Sequence, residues 1–295
     1  MNEKNGNKTS LSAAAGGTVS LGGELTVNRL GFGAMRITGD GIWGPPRDQA
    51  AAIAVLRRAV ELGVNFIDTA DSYGPNVSEE LIAEALSPYP KDLVIATKGG
   101  WNRPGPNQWT HDASPAHLRE AVESSLKRLR RDRIDVYQLH IPDPVVPLAA
   151  SIETLANMQS EGKIRLIGLS NVTVEHIERA RKIVPIVSVQ NRYSFADREW
   201  DNVVDYCERN GIAFIPWFPL GAGTVAAQAL DRIAKARGAK PIQVALAWLL
   251  KRSPVMLPIP GTSSTAHLEE NIQAASLQLT DGEYQDLNGV TALVA

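Results

Sequence analysis

The chain has 295 residues, 44% of them hydrophobic and 21% charged, a composition typical of a globular protein with a full buried core. Its net charge of −2 excludes a general attraction to nucleic acid or to an anionic membrane surface. Its only cysteine, Cys207, excludes an intrachain disulfide and a metal site built from several cysteines, which fits a reducing compartment.

Residues 1–17 are rich in Asn, Lys, Ser, Ala and Gly and contain no apolar run long enough for a secretion signal. We interpret them as a flexible lead-in to a single domain that spans residues 18–295. No stretch approaches the ~18 continuous apolar residues of a membrane span, so we expect a cytoplasmic protein. Two short apolar runs flank Gly22 and Gly23, which predicts a β-hairpin before the main fold.

From residue 30 onward, strand-like and helix-like segments alternate. The helical segments repeat apolar residues at i, i+3 and i+4, as at Ala52, Val55 and Leu56. Eight βα units with short apolar strands predict an α/β fold, a closed parallel (β/α)8 TIM barrel, and no G-x-G-x-x-G motif supports a Rossmann fold. The predicted strands cover residues 30–36, 65–70, 93–98, 134–140, 164–171, 186–190, 213–218 and 255–260. The predicted helices cover residues 48–62, 78–86, 114–130, 147–161, 174–183, 197–210, 223–237 and 241–251, with extra C-terminal helices at 266–275 and 280–287.

Ionisable side chains follow three successive predicted strands. Asp68 and Tyr73 follow the second strand, Lys98 ends the third and His140 ends the fourth. Because the active site of a parallel barrel lies at the C-terminal ends of its strands, we expect these groups to meet. A phenol beside an ammonium that a carboxylate holds can act as an acid, and an imidazole can orient a carbonyl oxygen. Each residue alone could have an ordinary structural role, but their joint occurrence predicts a site for proton transfer.

These residues make the chain resemble the aldo-keto reductases over nearly all of residues 30–287. The family motif F-x-D-T-A-x-x-Y-G stands here at residues 66–74, with Thr97-Lys98 and Leu139-His140 at the family's spacing. The resemblance implies that Tyr73 is the general acid, that Lys98 and Asp68 lower its pKa, and that His140 positions the substrate carbonyl. It also implies a nicotinamide cofactor, since no side chain can supply the hydride.

Polar and aromatic residues at the later strand ends are predicted to hold this cofactor. Ser170, Asn171 and Gln190 carry hydroxyl and carboxamide groups that suit the nicotinamide amide, and the family uses such residues there. Ser170 or Asn171 could instead cap the following helix. Trp217 stands where the family has Tyr in a Y-S-P-L-G motif and is interpreted as a stacking platform. The other residues assigned to the cofactor are Phe218, Pro219, Leu220, Gly261, Thr262, Ser263, His267, Glu270 and Asn271.

The choice between NADP and NAD depends on the loop after the eighth strand. Many reductases of the family carry Lys and Arg where this chain has Gly261 and His267, which leaves NAD open. Free N–H groups and hydroxyls at a helix start nevertheless form an anion site that suits the 2′-phosphate of NADP. The G-x-S…L-x-E-N variant also occurs in NADP-binding branches such as the potassium-channel β subunits. We therefore predict NADPH, with NADH as the less favoured cofactor.

Three loop tryptophans indicate the substrate class. Trp43, Trp101 and Trp109 predict an apolar or aromatic carbonyl substrate, although tryptophans that only pack a lid would look the same. Segments 28–35 and 245–250 resemble the bacterial branch that contains pyridoxal reductase, which makes a pyridoxal-like aromatic aldehyde a reasonable substrate.

Two other functional classes are alternatives to a reductase. The first is a slow-turnover NADPH-binding regulatory protein similar to the potassium-channel β subunits. The second, a metal-dependent barrel hydrolase, is disfavoured because His140 alone of the five histidines ends a predicted strand. The sequence predicts a small-molecule partner and no nucleic-acid or membrane partner, and it gives no oligomeric state.

Overall fold

The structure, a computed structural model, describes residues 11–219 and 224–291. The strands in this part of the chain are β1 (Thr18–Leu21), β2 (Leu25–Asn28), β3 (Phe32–Gly33), β4 (Phe66–Asp68), β5 (Val94–Gly99), β6 (Trp101–Gly105), β7 (Gln108–His111), β8 (Ile134–Leu139), β9 (Ile164–Ser170), β10 (Ile186–Arg192) and β11 (Ala213–Trp217). The helices are α1 (Gln49–Glu61), α2 (Val77–Leu86), α3 (Pro115–Arg128), α4 (Leu148–Ser160), α5 (Val174–Arg181), α6 (Asp201–Asn210), α7 (Thr224–Arg237), α8 (Pro241–Arg252), α9 (Thr265–Gln273) and α10 (Asp281–Thr291).

Seven of the strands form one parallel sheet in the order β11-β10-β9-β8-β5-β4-β3. Residues 255–260, the eighth predicted strand, close this sheet into a barrel through a few backbone hydrogen bonds. The N–H of Phe214 donates to the Val255 carbonyl at 2.9 Å on one side, and the N–H of Gly31 donates to the Pro258 carbonyl at 3.0 Å on the other. Prolines in this segment have no N–H, so it cannot form a full ladder. The predicted (β/α)8 barrel is confirmed, with an irregular eighth strand.

The predicted N-terminal hairpin covers one end of the barrel. Strands β1 and β2 pair from Thr18↔Asn28 to Leu21↔Leu25, and both turn glycines have positive φ. The side chains of Leu21 and Val27 are fully buried against residues that point into the barrel interior. Because this end is covered, the strand C-termini at the opposite end are left for a functional site.

The folded domain begins earlier than the sequence analysis expected. Ser12 caps a short 3-10 helix, Ala13–Gly16, and its hydroxyl accepts a hydrogen bond from the N–H of Ala14. Ala13 is fully buried, and its N–H donates to the Leu62 carbonyl at 2.8 Å. Residues 11–17 are therefore part of the domain and not of a flexible lead-in, because these small residues pack closely on the barrel.

An antiparallel hairpin of β6 and β7 follows the third barrel strand, where the sequence analysis expected a loop. Trp101 pairs with His111 and Asn102 with Thr110. Asn107 has a φ of 56° at the turn, a conformation that Asn adopts more readily than most residues. This hairpin projects from the C-terminal end of the barrel and brings its tryptophans toward the strand ends.

Several helices bury one face, as their apolar periodicity predicts, whereas α8 is buried all round over residues 243–249. Helix α1 begins after Asp48, whose carboxylate accepts a hydrogen bond from the N–H of Ala51 at 2.9 Å, and it buries Ala52, Val55 and Leu56. The extra C-terminal helices are present as α9 and α10. Within residues 11–219 and 224–291, no helix has the length and apolar character needed to cross a membrane.

Candidate active site

Three of the four predicted catalytic residues meet at a buried ion pair, which Lys98 and Asp68 form beside Tyr73. The ammonium of Lys98 donates to Asp68 Oδ1 at 2.6 Å and to the carbonyl oxygen of Thr69 at 2.8 Å, and it lies 3.4 Å from the phenol oxygen of Tyr73. Lys98 is fully buried, and Asp68 is 2% exposed. Strands β4 and β5 are neighbours that end at the same edge of the barrel, so their terminal side chains meet.

The second oxygen of Asp68 is held by two carboxamides. Asp68 Oδ2 accepts hydrogen bonds from Gln190 Nε2 at 2.8 Å and from Gln138 Nε2 at 3.2 Å. Sequence analysis missed Gln138 altogether. It could have been found by strand alternation, because Gln138 lies two residues before His140 and so lies on the same face of the strand run. The sequence analysis gave Gln190 to the nicotinamide, and the structure shows that its N–H group also fixes Asp68.

Burial and neighbouring charges set the protonation of Tyr73 and Lys98. Burial raises the pKa of Tyr73; Lys98 lowers it, and Asp68 raises it again. The resulting pKa lies above the ordinary value, contrary to the lowering that the resemblance implied, because burial has the largest effect and Asp68 adds to it. Burial opposes the charge of Lys98, but Asp68 and Tyr73 outweigh it and raise its pKa. At neutral pH, Tyr73 therefore carries its proton and Lys98 is charged.

His140 lies at the same end of the barrel, edge-on to Tyr73. Their ring centroids are 5.8 Å apart at an interplanar angle of 81°, and Nδ1 of His140 lies 3.5 Å from the hydroxyl oxygen of Ser72. Burial lowers the pKa of His140 well below its ordinary value, and the positive charge of Lys98 lowers it further. The imidazole is thus neutral at neutral pH, with one nitrogen that donates and one that accepts a hydrogen bond.

These groups border a cavity of about 640 Å³ at the barrel end, within the size range of small-molecule sites. Lys98 does not line the cavity itself. The predicted residues that do line it are Asp68, Tyr73, Trp101, Trp109, His140, Ser170, Asn171, Gln190, Trp217, Phe218, Pro219 and Gly261. The structure therefore brings the predicted acid, the imidazole and most of the predicted cofactor residues to one space.

Sequence analysis missed part of the cavity wall because the first barrel strand is shorter than predicted. Strand β3 ends at Gly33, and Ala34–Ile37 forms a 3-10 helix instead of continuing the strand. This turn puts Met35 and Arg36 on the cavity wall. Arg36 supplies the only guanidinium group on that wall among the described residues. Other lining residues that were not predicted are Gly33, Ile141 and Ile259. Ile42 also lines the cavity, in the loop after β3 that was expected to border the substrate.

Asn171 is held by a hydrogen-bond network and does not cap a helix. Its Oδ1 accepts from the indole N–H of Trp217 at 3.0 Å, and its Nδ2 donates to the His140 carbonyl at 3.0 Å and to Ser170 Oγ at 3.1 Å. The hydroxyl of Thr173 caps α5 instead. The helix-cap alternative for Ser170 and Asn171 is therefore wrong, and the indole of Trp217 has a second use beyond its flat surface.

Several predicted site residues lie away from the cavity wall. Trp43 does not line the cavity and instead bridges to Gly74 through the backbone. None of the predicted cofactor residues just before or within α9 lines the cavity; they are Thr262, Ser263, His267, Glu270 and Asn271. Glu270 pairs with Lys240, and Ser264 rather than Ser263 caps the helix. Leu220 lies outside the described residues.

A phenol that carries its proton and a neutral imidazole thus line one cavity of a parallel barrel, and a buried ammonium lies 3.4 Å from the phenol oxygen. The model of the aldo/keto reductase family matches residues 29–292, so the chain belongs to the aldo/keto reductase family. With oxidoreductases among its relatives, the chain is an NAD(P)H-dependent oxidoreductase.

Three comparisons show how far the similarity extends. The chain is 51% identical over 282 residues to an uncharacterised oxidoreductase of Schizosaccharomyces pombe, covering 95% of this chain and 92% of the relative. It is 48% identical over 276 residues to pyridoxine 4-dehydrogenase of Escherichia coli, covering 91% and 96%. The crystal structure of an aldo-keto reductase of Klebsiella pneumoniae in complex with NADPH superposes with a TM-score of 0.80 at 25% identity, covering 93% and 94%.

The residues on the cavity wall fit a nicotinamide cofactor. The indole of Trp217 offers a flat surface, and Ser170 and Gln190 offer a hydroxyl and a carboxamide. An added Cβ on Gly261 would come within 2.5 Å of the Gly33 carbonyl oxygen, so the wall is close-packed backbone there.

Proposed function

We propose that the protein reduces aldehydes and ketones to alcohols with NADPH, and that Tyr73 donates the proton to the carbonyl oxygen. The observation that carries the proposal is the contact of the Tyr73 phenol with Lys98 at 3.4 Å, beside His140 and on the wall of the same cavity. When bound, the cofactor supplies the hydride.

The chain's own residues then have distinct tasks. The neutral imidazole of His140 can donate a hydrogen bond to the carbonyl oxygen and hold it near the phenol of Tyr73. As the proton leaves Tyr73, the charged Lys98 stabilises the phenolate that forms. Asp68 keeps Lys98 in place, and Gln138 and Gln190 keep Asp68 in place.

The substrate we propose is a pyridoxal-like aromatic aldehyde. The ring centroids of Trp101 and Trp109 lie 5.8 Å apart in an edge-to-face arrangement, and both rings line the cavity near His140. Aromatic walls favour a flat apolar ligand. The 48% identity to a protein named pyridoxine 4-dehydrogenase supports the same substrate class.

The preference for NADPH over NADH is part of the proposal. It is supported by the start of α9, where Thr262, Ser263 and the first amides of the helix can receive a phosphate. The Klebsiella pneumoniae enzyme crystallised with NADPH provides further support. A lower dissociation constant for NADPH than for NADH is expected, and equal constants would contradict this part.

The proposal is tested by steady-state reduction of pyridoxal, benzaldehyde and propanal with NADPH, using wild-type protein and Tyr73→Phe. The variant should lose at least ~10²-fold in kcat, as expected for loss of a general acid, while the dissociation constant of NADPH stays the same. Near-normal kcat would remove Tyr73 from the mechanism. A single burst of NADPH oxidation in the wild type without further turnover would support the slow regulatory protein instead.

A further inference from the structure

Arg103 on β6 connects three separate segments at the substrate end of the cavity. Its guanidinium donates to the carbonyl oxygens of Ile42 at 2.9 Å and Gly41 at 3.2 Å, in the loop after β3. It also donates to the Ser72 carbonyl at 2.9 Å, in the loop after β4, and to the Gln108 carbonyl at 3.0 Å, across the β6–β7 turn. A single side chain therefore fixes the relative positions of these three segments.

The same guanidinium supports the aromatic wall. It lies 3.8 Å from the ring centroid of Trp109 and 5.5 Å from that of Trp43, both within the range of cation–π contacts. The ring of Trp109 meets Trp101 edge-on at 5.8 Å, and Trp101 in turn meets His140 at 6.4 Å. A continuous row of contacts thus runs from Arg103 to the imidazole next to Tyr73.

Arg103 also holds a strained backbone. Ile42 has a φ of 57°, a conformation that is a genuine outlier for a β-branched residue and persists only where the surroundings enforce it. Its carbonyl oxygen accepts from Arg103 and from the N–H of Gly74, and its side chain lines the cavity. Without Arg103, the loop would lose one of the two donors that keep Ile42 in this conformation.

We propose that Arg103 is a positioning residue that fixes Ile42 and Trp109 as the two walls of a slot for flat aromatic carbonyl substrates. The inference rests on the proposed carbonyl reduction and adds the residue that sets its substrate specificity. Lys cannot replace Arg here. A guanidinium is planar, so it can donate hydrogen bonds to several carbonyl oxygens and stack on an indole at the same time, whereas an ammonium cannot.

The first experiment compares Arg103→Met and Arg103→Lys with the wild type in the reduction of benzaldehyde and propanal. For benzaldehyde, both variants should raise KM by at least ~10-fold and leave kcat within ~3-fold, the pattern of lost ground-state binding. For propanal, which does not fill the slot, KM should change by less than ~3-fold, and NADPH should bind as in the wild type. Equal changes for the two aldehydes, or a Lys variant that behaves like the wild type, would overturn the proposal.

Two further variants test the proposed slot. Arg47→Met is the matched control, since Arg47 lies in the loop after β3, is highly exposed and pairs with Asp40. It should leave both aldehydes unaffected. Trp109→Leu removes the stacked ring, keeps Arg103, and should reproduce the selective loss for benzaldehyde; equal changes for the two aldehydes would contradict the slot.

Hydrogen exchange separates failure of this inference from failure of the proposed function. Amides of residues 41–44 should exchange faster in Arg103→Met than in the wild type, even if the protein reduces neither aldehyde. Unchanged exchange in this segment would overturn the role of Arg103, whereas inactive wild-type protein with faster exchange in the variant would overturn only the reductase proposal.

Discussion

The carboxylate of Asp68 and the ammonium of Lys98 form an ion pair of 2.6 Å that is almost completely shielded from water. Removal of one partner from such a pair leaves an uncompensated buried charge, which costs about 3–5 kcal/mol. Asp68→Asn should therefore lower the free energy of unfolding by about this amount at pH 7, measured by urea denaturation. The double variant Asp68→Asn/Lys98→Met should recover part of the loss because it removes the charge. A single variant as stable as the wild type would show that the ion pair contributes little to the fold.

The protonation of His140 can be measured without any turnover. Burial and the charge of Lys98 lower the pKa of His140 well below its ordinary value, so the imidazole is neutral above that lowered pKa. We expect no titration of His140 between about pH 6 and 8, followed by NMR of ¹⁵N-histidine protein. The signal is assigned by its absence in His140→Gln. A midpoint between pH 6 and 7 would show that the ring is more exposed to water than the structure indicates.

Asp71 should make the protein less stable as pH rises, which is the opposite of the effect of most carboxylates in folded proteins. Burial and the negative charge of Glu79 raise the pKa of Asp71 to about 8. The unfolded chain has a value near ~3.9, so between these two pH values the folded state holds a proton that the unfolded state has lost. Stability contributed by this group therefore falls as pH rises from about 4 to 8, and above pH 8 the full cost of a buried charge remains.

Asp71→Asn removes this titration and should make the protein more stable than the wild type at pH 8, by roughly 2 kcal/mol or more. The difference should shrink toward pH 4, and urea denaturation at several pH values measures it. Asp281→Asn is the control, because Lys251 lowers the pKa of exposed Asp281 and no gain is expected there. Loss of stability in Asp71→Asn at pH 8 would show that the Asp71 carboxylate is charged and favourably bound.

The barrel and the meeting of the candidate catalytic residues could be predicted from sequence because both depend on the regular order of strands and helices. These strands are mostly apolar, an ionisable residue stands at or just beyond the end of each, and parallel strands end at one edge, so Asp68, Lys98 and His140 were expected to meet. The motif at residues 66–74 placed Tyr73 beside them. The local sequence was therefore sufficient to predict those site residues that lie on the strands themselves.

The parts that could not be predicted depend on contacts between loops distant in sequence. Arg103 reaches Ile42 across 61 residues, and no local pattern indicates that a β-branched residue adopts a positive φ. Trp43 resembled a substrate residue, but the loop turns its ring toward Arg103. The pKa of Tyr73 also depends on burial by the whole barrel end, which a motif does not encode.

Variants of Trp217 can test whether its ring and its N–H group each contribute to the proposed binding of NADPH. Its ring lines the cavity, and its N–H donates to Asn171 Oδ1 at 3.0 Å. Trp217→Phe keeps a flat ring and loses the donor, so we expect NADPH to bind ~5-fold more weakly, which corresponds to one hydrogen bond of ~1 kcal/mol. Trp217→Leu loses the ring as well and should weaken binding by at least ~10-fold more.

Isothermal titration calorimetry with NADPH measures both variants without relying on the fluorescence of the replaced indole. Trp43→Phe is the matched control, because Trp43 lies outside the cavity wall and should leave the dissociation constant unchanged. If the Phe and Leu variants bind NADPH equally well, the ring of Trp217 does not stack on the cofactor. In that case, the indole serves only to hold Asn171, which in turn donates to the carbonyl oxygen of His140 at 3.0 Å.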